Sequence, residues 1–141
     1  IERSCRLVDE LIIGVGINIE KCGLFNSDER MALVCRVTSH LDNIKVMHFE
    51  GLAVDFVERC GAKVMIRGVR PLTDLEAEFT MMMANRQLNE ELETVFLMAD
   101  GENAHVSSSL IKQITPLADD EQLARFVPAE IIPDLRAKMK R

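Results

Sequence analysis

Arg67 and Arg70 flank Gly68 directly after the apolar run Val64-Met65-Ile66, and two guanidinium groups beside a strand's carboxyl end are well suited to a phosphorylated substrate. Each guanidinium can fork onto phosphate oxygens, and a glycine between them lets the backbone come close to a ligand. The competing reading is that both arginines are solvated or pair with Glu76 and Glu78. Lys21 offers a further cation, or is simply a solvated loop lysine. Ser107-Ser108-Ser109 brings three hydroxyls to the free amides of a helix start, which suits an anion and equally suits a plain N-cap. Met81-Met82-Met83 reads as core or subunit contact, and His105 receives no role.

These residues need elements to position them. Val64–Ile66 has the uninterrupted apolar character of a strand buried on both faces of a parallel sheet, with a cationic turn following it. Thr73-Asp74-Leu75-Glu76 reads as a capping box that opens a helix to about Leu88. Upstream, Ile1–Val8 reads as helix and Leu11–Ile17 as a buried strand. Asn26 and Glu29 then cap a helix to about His40, which should bury Met31, Val34, Cys35 and Thr38 or their neighbours. Ile44–Phe49 alternates as a strand, Leu52–Cys60 forms a helix closed by Gly61, and Thr94–Met98 is a fourth strand. A helix from Ser107 to about Ile114 and short helices broken by Pro128 and Pro133 complete the chain. Strands separated by single helices predict an α/β fold, a doubly wound parallel sheet with right-handed crossovers. Lys21, Glu50-Gly51-Leu52, Arg67–Arg70 and Ser107–Ser109 would then share the carboxyl rim, where such sheets bind ligands.

With 141 residues, 48% of them hydrophobic, and no linker-like stretch, the sequence predicts one domain. A net charge of -6 argues against DNA or RNA as partner, while leaving room for a local basic pocket. No apolar run reaches membrane-spanning length. Cys5, Cys22, Cys35 and Cys60 form no CxxC pair and stand apart from the histidines, which predicts free thiols in a reducing cytoplasm and no protein metal site. Ile1 already reads as helix interior without a capping residue, so residues upstream are expected.

Ile66-Arg67-Gly68-Val69-Arg70, Asp74-Leu75-Glu76-Ala77-Glu78 and Met83-Ala84-Asn85-Arg86 together resemble bacterial phosphopantetheine adenylyltransferases. The resemblance continues through Leu92–Met98 and Val106–Lys112, and upstream through Lys21, Phe25 and Asp28-Glu29-Arg30. Where that family often has an aromatic residue, this chain has Asn103-Ala104-His105. The resemblance implies a Rossmann-like nucleotidyltransferase fold and adenylyl transfer from ATP to 4'-phosphopantetheine. The products would be dephospho-coenzyme A and pyrophosphate, with Mg2+ as cofactor, in a homo-hexamer open to coenzyme A feedback. It implies that Lys21 and Arg67 bind the pantetheine phosphate and stabilise the transferring group. Gly68, Arg70, Glu78, Ser107, Ser108 and Ser109 would hold ATP, with Leu52 and Ala53 near the pantetheine arm. It further implies a first strand and a Gly-Thr-Phe-Asp-Pro-x-Thr-x-Gly-His segment ahead of Ile1. That strand would lie between Leu11–Ile17 and Val64–Ile66. Two other readings remain at this point: another nucleotidyltransferase of the same fold, or a truncated, non-catalytic module that binds nucleotide or forms oligomers.

Overall fold

The computed structural model describes residues 1–17, 23–70 and 72–139, with the side chains of Leu72 and Thr73 outside the description. Helices and strands alternate. A short α1 (Glu2–Cys5) precedes β1 (Leu11–Gly16), α2 (Ser27–Val37), β2 (Ile44–Phe49), α3 (Ala53–Arg59) and β3 (Val64–Val69). Then come α4 (Leu72–Leu88), β4 (Glu93–Met98), α5 (Ser108–Ile114), α6 (Asp120–Leu123), a 3-10 turn at Ala129–Ile131 and α7 (Ile132–Met139).

The strands form two parallel pairs rather than one continuous sheet. β1 runs beside β2 from Leu11↔Ile44 to Gly16↔Phe49, and β3 beside β4 from Val64↔Glu93 to Val69↔Met98. Between the pairs lies a cavity of about 790 Å³, walled on one side by Leu11–Gly14 of β1 and on the other by Val64–Val69 of β3. Neither inner edge has a strand partner among the described residues.

Local chemistry accounts for most element ends. Asn26 and Glu29 exchange backbone and side-chain hydrogen bonds of 2.9 Å, the reciprocal cap expected at the start of α2. At the end of α3, Gly61 takes φ +65°. The Ala62 amide reaches the Val57 carbonyl at 3.1 Å and the Gly61 amide reaches Glu58 at 2.9 Å, so the left-handed residue satisfies two carbonyls left free at the helix end. Gly14 serves a different need. A Cβ there would stand 2.7 Å from the Phe56 ring and 3.1 Å from Phe49, whose rings stack at 4.7 Å across the face of β1.

Four expectations are corrected. α1 is shorter than Ile1–Val8, because the Asn43 amide captures the carbonyls of Cys5 and Val8 and draws the chain out of helix toward β1. α2 stops at Val37, where the buried Thr38 hydroxyl folds back 2.7 Å onto the Val34 carbonyl, and Cys35 faces outward instead of into the core. Thr73 lies inside α4, one residue past its start, so it does not occupy the N-cap position. Pro133 sits in the first turn of α7, where a missing N–H costs nothing, and does not break a helix. The C-terminal helix is fastened to the rest of the fold by charge. Lys138 meets Glu29 at 2.6 Å, Arg36 meets Asp134 at 2.7 Å, and Arg136 spans the carbonyls of Thr115 and Ala118 and the Asp120 carboxylate.

Candidate active site

Parallel pairing with β4 carries β3 past Ile66 to Val69, so Arg67 lies opposite Phe96 and Gly68 opposite Leu97. The expected cationic turn is therefore the end of a strand, because ladder bonds rather than side-chain polarity decide where a strand stops. That end is well anchored, since Val69 is fully buried. Arg67 and Gly68 are themselves exposed. No atom stands within 4 Å of where a Cβ on Gly68 would be, which leaves room for a ligand against the backbone.

Arg67 is held by Glu78 of α4 in a two-pronged contact. Its Nε donates to Oε2 and its Nη2 to Oε1, both at 2.7 Å. These hydrogen bonds hold the Glu78 carboxyl below the usual carboxylate range although burial pushes it up. The same bonds raise Arg67 above its ordinary value. Of the two carboxylates weighed as partners, Glu78 forms this pair, while Arg70 turns to Asp74 instead of Glu76. Arg70 Nε donates to Asp74 Oδ2 at 3.0 Å and its Nη1 to the Val106 carbonyl at 2.7 Å. Arg70 thereby ties the first turn of α4 to the residue preceding the serines.

Ser107 is the N-cap of α5, its hydroxyl accepting from the Leu110 amide at 3.2 Å. Its cap role is thus real, and the Ser108 and Ser109 side chains are exposed. Leu52 is the exposed N-cap residue of α3, and Ala53 opens the helix and lines the cavity together with Arg67, Gly68 and Arg70. Leu52, Glu78 and the three serines lie outside the lining of that cavity. Lys21 lies outside the described residues.

Sequence reasoning passed over two contacts. The Arg70–Asp74 pair carried a signal in its i,i+4 spacing. Arg30 Nη2 donates 2.7 Å to the carbonyl of Gly16, the last residue of β1, and nothing in the local sequence announces this long-range bond. Among the described residues, Cys5, Cys35 and Cys60 are free thiols, and no three His, Cys, Asp or Glu side chains are grouped to hold a metal ion. The described side chains therefore do not fit a protein cage for magnesium. No described helix is long and apolar enough to cross a membrane.

Alternating helices and parallel strands, with arginines, an open glycine and a serine-capped helix at the strand ends, define a nucleotide-handling α/β protein. Residues 1–114 match the family model described as Cytidylyltransferase-like. The chain is similar to the phosphopantetheine adenylyltransferase of Rhodopirellula baltica, 60% identical over 140 residues, which are 99% of this chain and 78% of that protein. It is likewise similar to the enzymes of that name from Finegoldia magna, 39% identical over 98% of this chain and 84% of theirs, and Clostridium botulinum strain Eklund 17B, 39% over 99% and 87%. The chain belongs to the phosphopantetheine adenylyltransferase family within the cytidylyltransferase-like group, with its Rossmann-like nucleotidyltransferase fold.

Proposed function

We propose that this chain transfers an adenylyl group from ATP to 4'-phosphopantetheine, a step of coenzyme A biosynthesis. The observation that carries the reading is Arg67, exposed at the end of β3 beside the open backbone of Gly68, in a chain whose relatives carry that enzyme name. A phosphate oxygen of phosphopantetheine forms a bond to the α-phosphorus of ATP. The bond from that phosphorus to the bridging oxygen breaks, and pyrophosphate leaves with the electron pair. Such chemistry depends on positioning and charge stabilisation, with no covalent part for the protein. Arg67 and Lys21 bind the attacking phosphate and stabilise charge on the transferring group. Gly68, Arg70 and Ser107–Ser109 hold ATP, and the resemblance adds Glu78 to that set. Leu52 and Ala53 flank the pantetheine arm.

Magnesium would arrive on the nucleotide phosphates, as it commonly does, and would neutralise their charge. A single cytoplasmic domain, working in a homo-hexamer and subject to coenzyme A feedback, completes the proposal. The exposed Phe79, Met81, Met83 and Leu88 on α4 favour burial between copies. The test assays residues 1–141 and the same chain joined to the strand and Thr-x-Gly-His segment that the resemblance implies. Dephospho-coenzyme A and pyrophosphate from ATP and phosphopantetheine are the expected products of the joined form. Turnover of nicotinamide mononucleotide or glycerol phosphate in preference would overturn the assignment.

A further inference from the structure

We infer that Glu78 is a positioning residue for Arg67, fixing its guanidinium so that the outer edge faces the attacking phosphate. This rests on the proposed role of Arg67 in binding that phosphate. A guanidinium has five N–H donors in a rigid plane. Glu78 occupies the side edge, taking the Nε hydrogen and one of the two on Nη2 at 2.7 Å each. The second hydrogen on Nη2 and one of the two on Nη1 remain free and form the end edge of the fork. A carboxylate on the side edge and a phosphate on the end edge can therefore be bound at once.

The placement of the pair supports the same division of labour. Arg67 comes from β3, lines the cavity and stands next to the open space at Gly68, whereas Glu78 comes from α4 and lies outside the cavity lining. Arg67 depresses the Glu78 carboxyl, so it stays ionised and acceptor-only through the neutral range. An arginine is among the most flexible of side chains, and holding it beforehand removes an ordering cost that the reaction would otherwise bear. Glu78 also brings a negative charge near an anionic substrate. Removing that charge favours phosphate binding while loosening the geometry, so its effect should divide between KM and kcat.

The test is a double-mutant cycle on the active enzyme, using Glu78→Gln, Arg67→Ala and the pair of changes together. Glutamine keeps the shape but offers an acceptor to only one of the two Arg67 donors. Glu78→Gln should lower kcat roughly ten- to thirtyfold, the factor set by the side-chain ordering it undoes. KM for phosphopantetheine should stay level or fall, and in the Arg67→Ala background the same substitution should change kcat less than about twofold. An NMR readout independent of turnover is the Arg67 Nε–H signal, which should be protected from exchange in the parent protein and lost in Glu78→Gln. A kcat loss that adds to that of Arg67→Ala, or a kcat left unchanged by Glu78→Gln, overturns the positioning role. If Arg67→Ala alone leaves turnover unchanged, the functional proposal fails instead, so the two failures are distinguishable.

Discussion

Replacing Arg67 with alanine should separate catalysis from folding. In the fold its one described side-chain partner is Glu78, and Arg67 is exposed, so breaking the pair should cost at most about 1 kcal/mol of stability. The loss in the reaction is larger. A charge-assisted contact made to the developing transition state is worth about 3 kcal/mol, or roughly 150-fold in rate. Arg67→Ala also leaves the Glu78 carboxylate unneutralised beside the incoming phosphate, which adds about 1 kcal/mol of repulsion at a water-like dielectric. Together these predict a fall in kcat/KM between about 150- and 1,000-fold. Pyrophosphate release, followed in a coupled assay beside a thermal melt, measures both quantities on one preparation. Arg67→Lys should be nearly as poor, since an ammonium cannot hold Glu78 and a phosphate on two edges. A variant with parental turnover, or one that loses activity only in step with its melting temperature, would refute the reasoning.

Three further outcomes follow from specific contacts. Gly14→Ala should destabilise the fold by about 1–3 kcal/mol, because its Cβ would stand 2.7 Å from the Phe56 ring in the stacked aromatic pair, and an unchanged denaturant midpoint would contradict this. Ser107→Ala should lower stability by about 1 kcal/mol through loss of the cap on Leu110, whereas Ser108→Ala should leave the melt alone and weaken ATP in a titration. If both serines affect only the melt, they are structural. The Glu78 carboxyl lies below its ordinary value of 4.5 in the fold, so its pairing stabilises the protein above that pH and is lost as pH falls through the depressed value. The stability gap between the parent protein and Glu78→Gln should therefore narrow on acidification, and a gap independent of pH would count against the pairing.

Where a signal is local, the sequence carries it well. A continuous apolar run marked Leu11–Gly16 within a residue, alternation marked Ile44–Phe49, the Asn26–Glu29 box marked α2, and Gly61 marked the end of α3. What it does not carry is set by distant partners. Arg67 and Gly68 look like a turn by composition, yet β4 keeps them in a strand. The choice of Glu78 over Glu76 depends on how α4 lies against β3, and the Arg30 bond to Gly16 depends on how α2 lies against β1. Side-chain types were enough to nominate the rim residues. Only geometry separates Arg67, whose single partner takes the side edge and leaves the end edge of its fork open, from Arg70, whose Nε and Nη1 go to two different partners, Asp74 and the Val106 carbonyl.

The gap between β1 and β3 is the feature with the largest energetic consequence. Each of these six-residue strands directs about half of its N–H and C=O groups to a side that has no described strand partner. A strand of that length needs roughly 20 Å by 4.8 Å by 10 Å, about 950 Å³ with its side chains. The cavity between the edges, about 790 Å³, is of that size. Unpaired backbone groups shut off from water cost about 1–3 kcal/mol each against the roughly 5–15 kcal/mol that holds a domain together, and those that water reaches stay open to pairing with another chain. A polypeptide consisting of residues 1–141 alone should therefore bind hydrophobic dyes, self-associate through its open edges and fail to transfer adenylyl groups. Joined to the strand and Thr-x-Gly-His segment implied by the resemblance, it should become monodisperse and melt cooperatively. Size-exclusion chromatography, a thermal melt and the pyrophosphate assay on both forms decide the matter. If the short form is monodisperse, melts cooperatively and makes dephospho-coenzyme A as fast as the joined one, the cavity is not a strand site and the catalytic groups all lie within these residues.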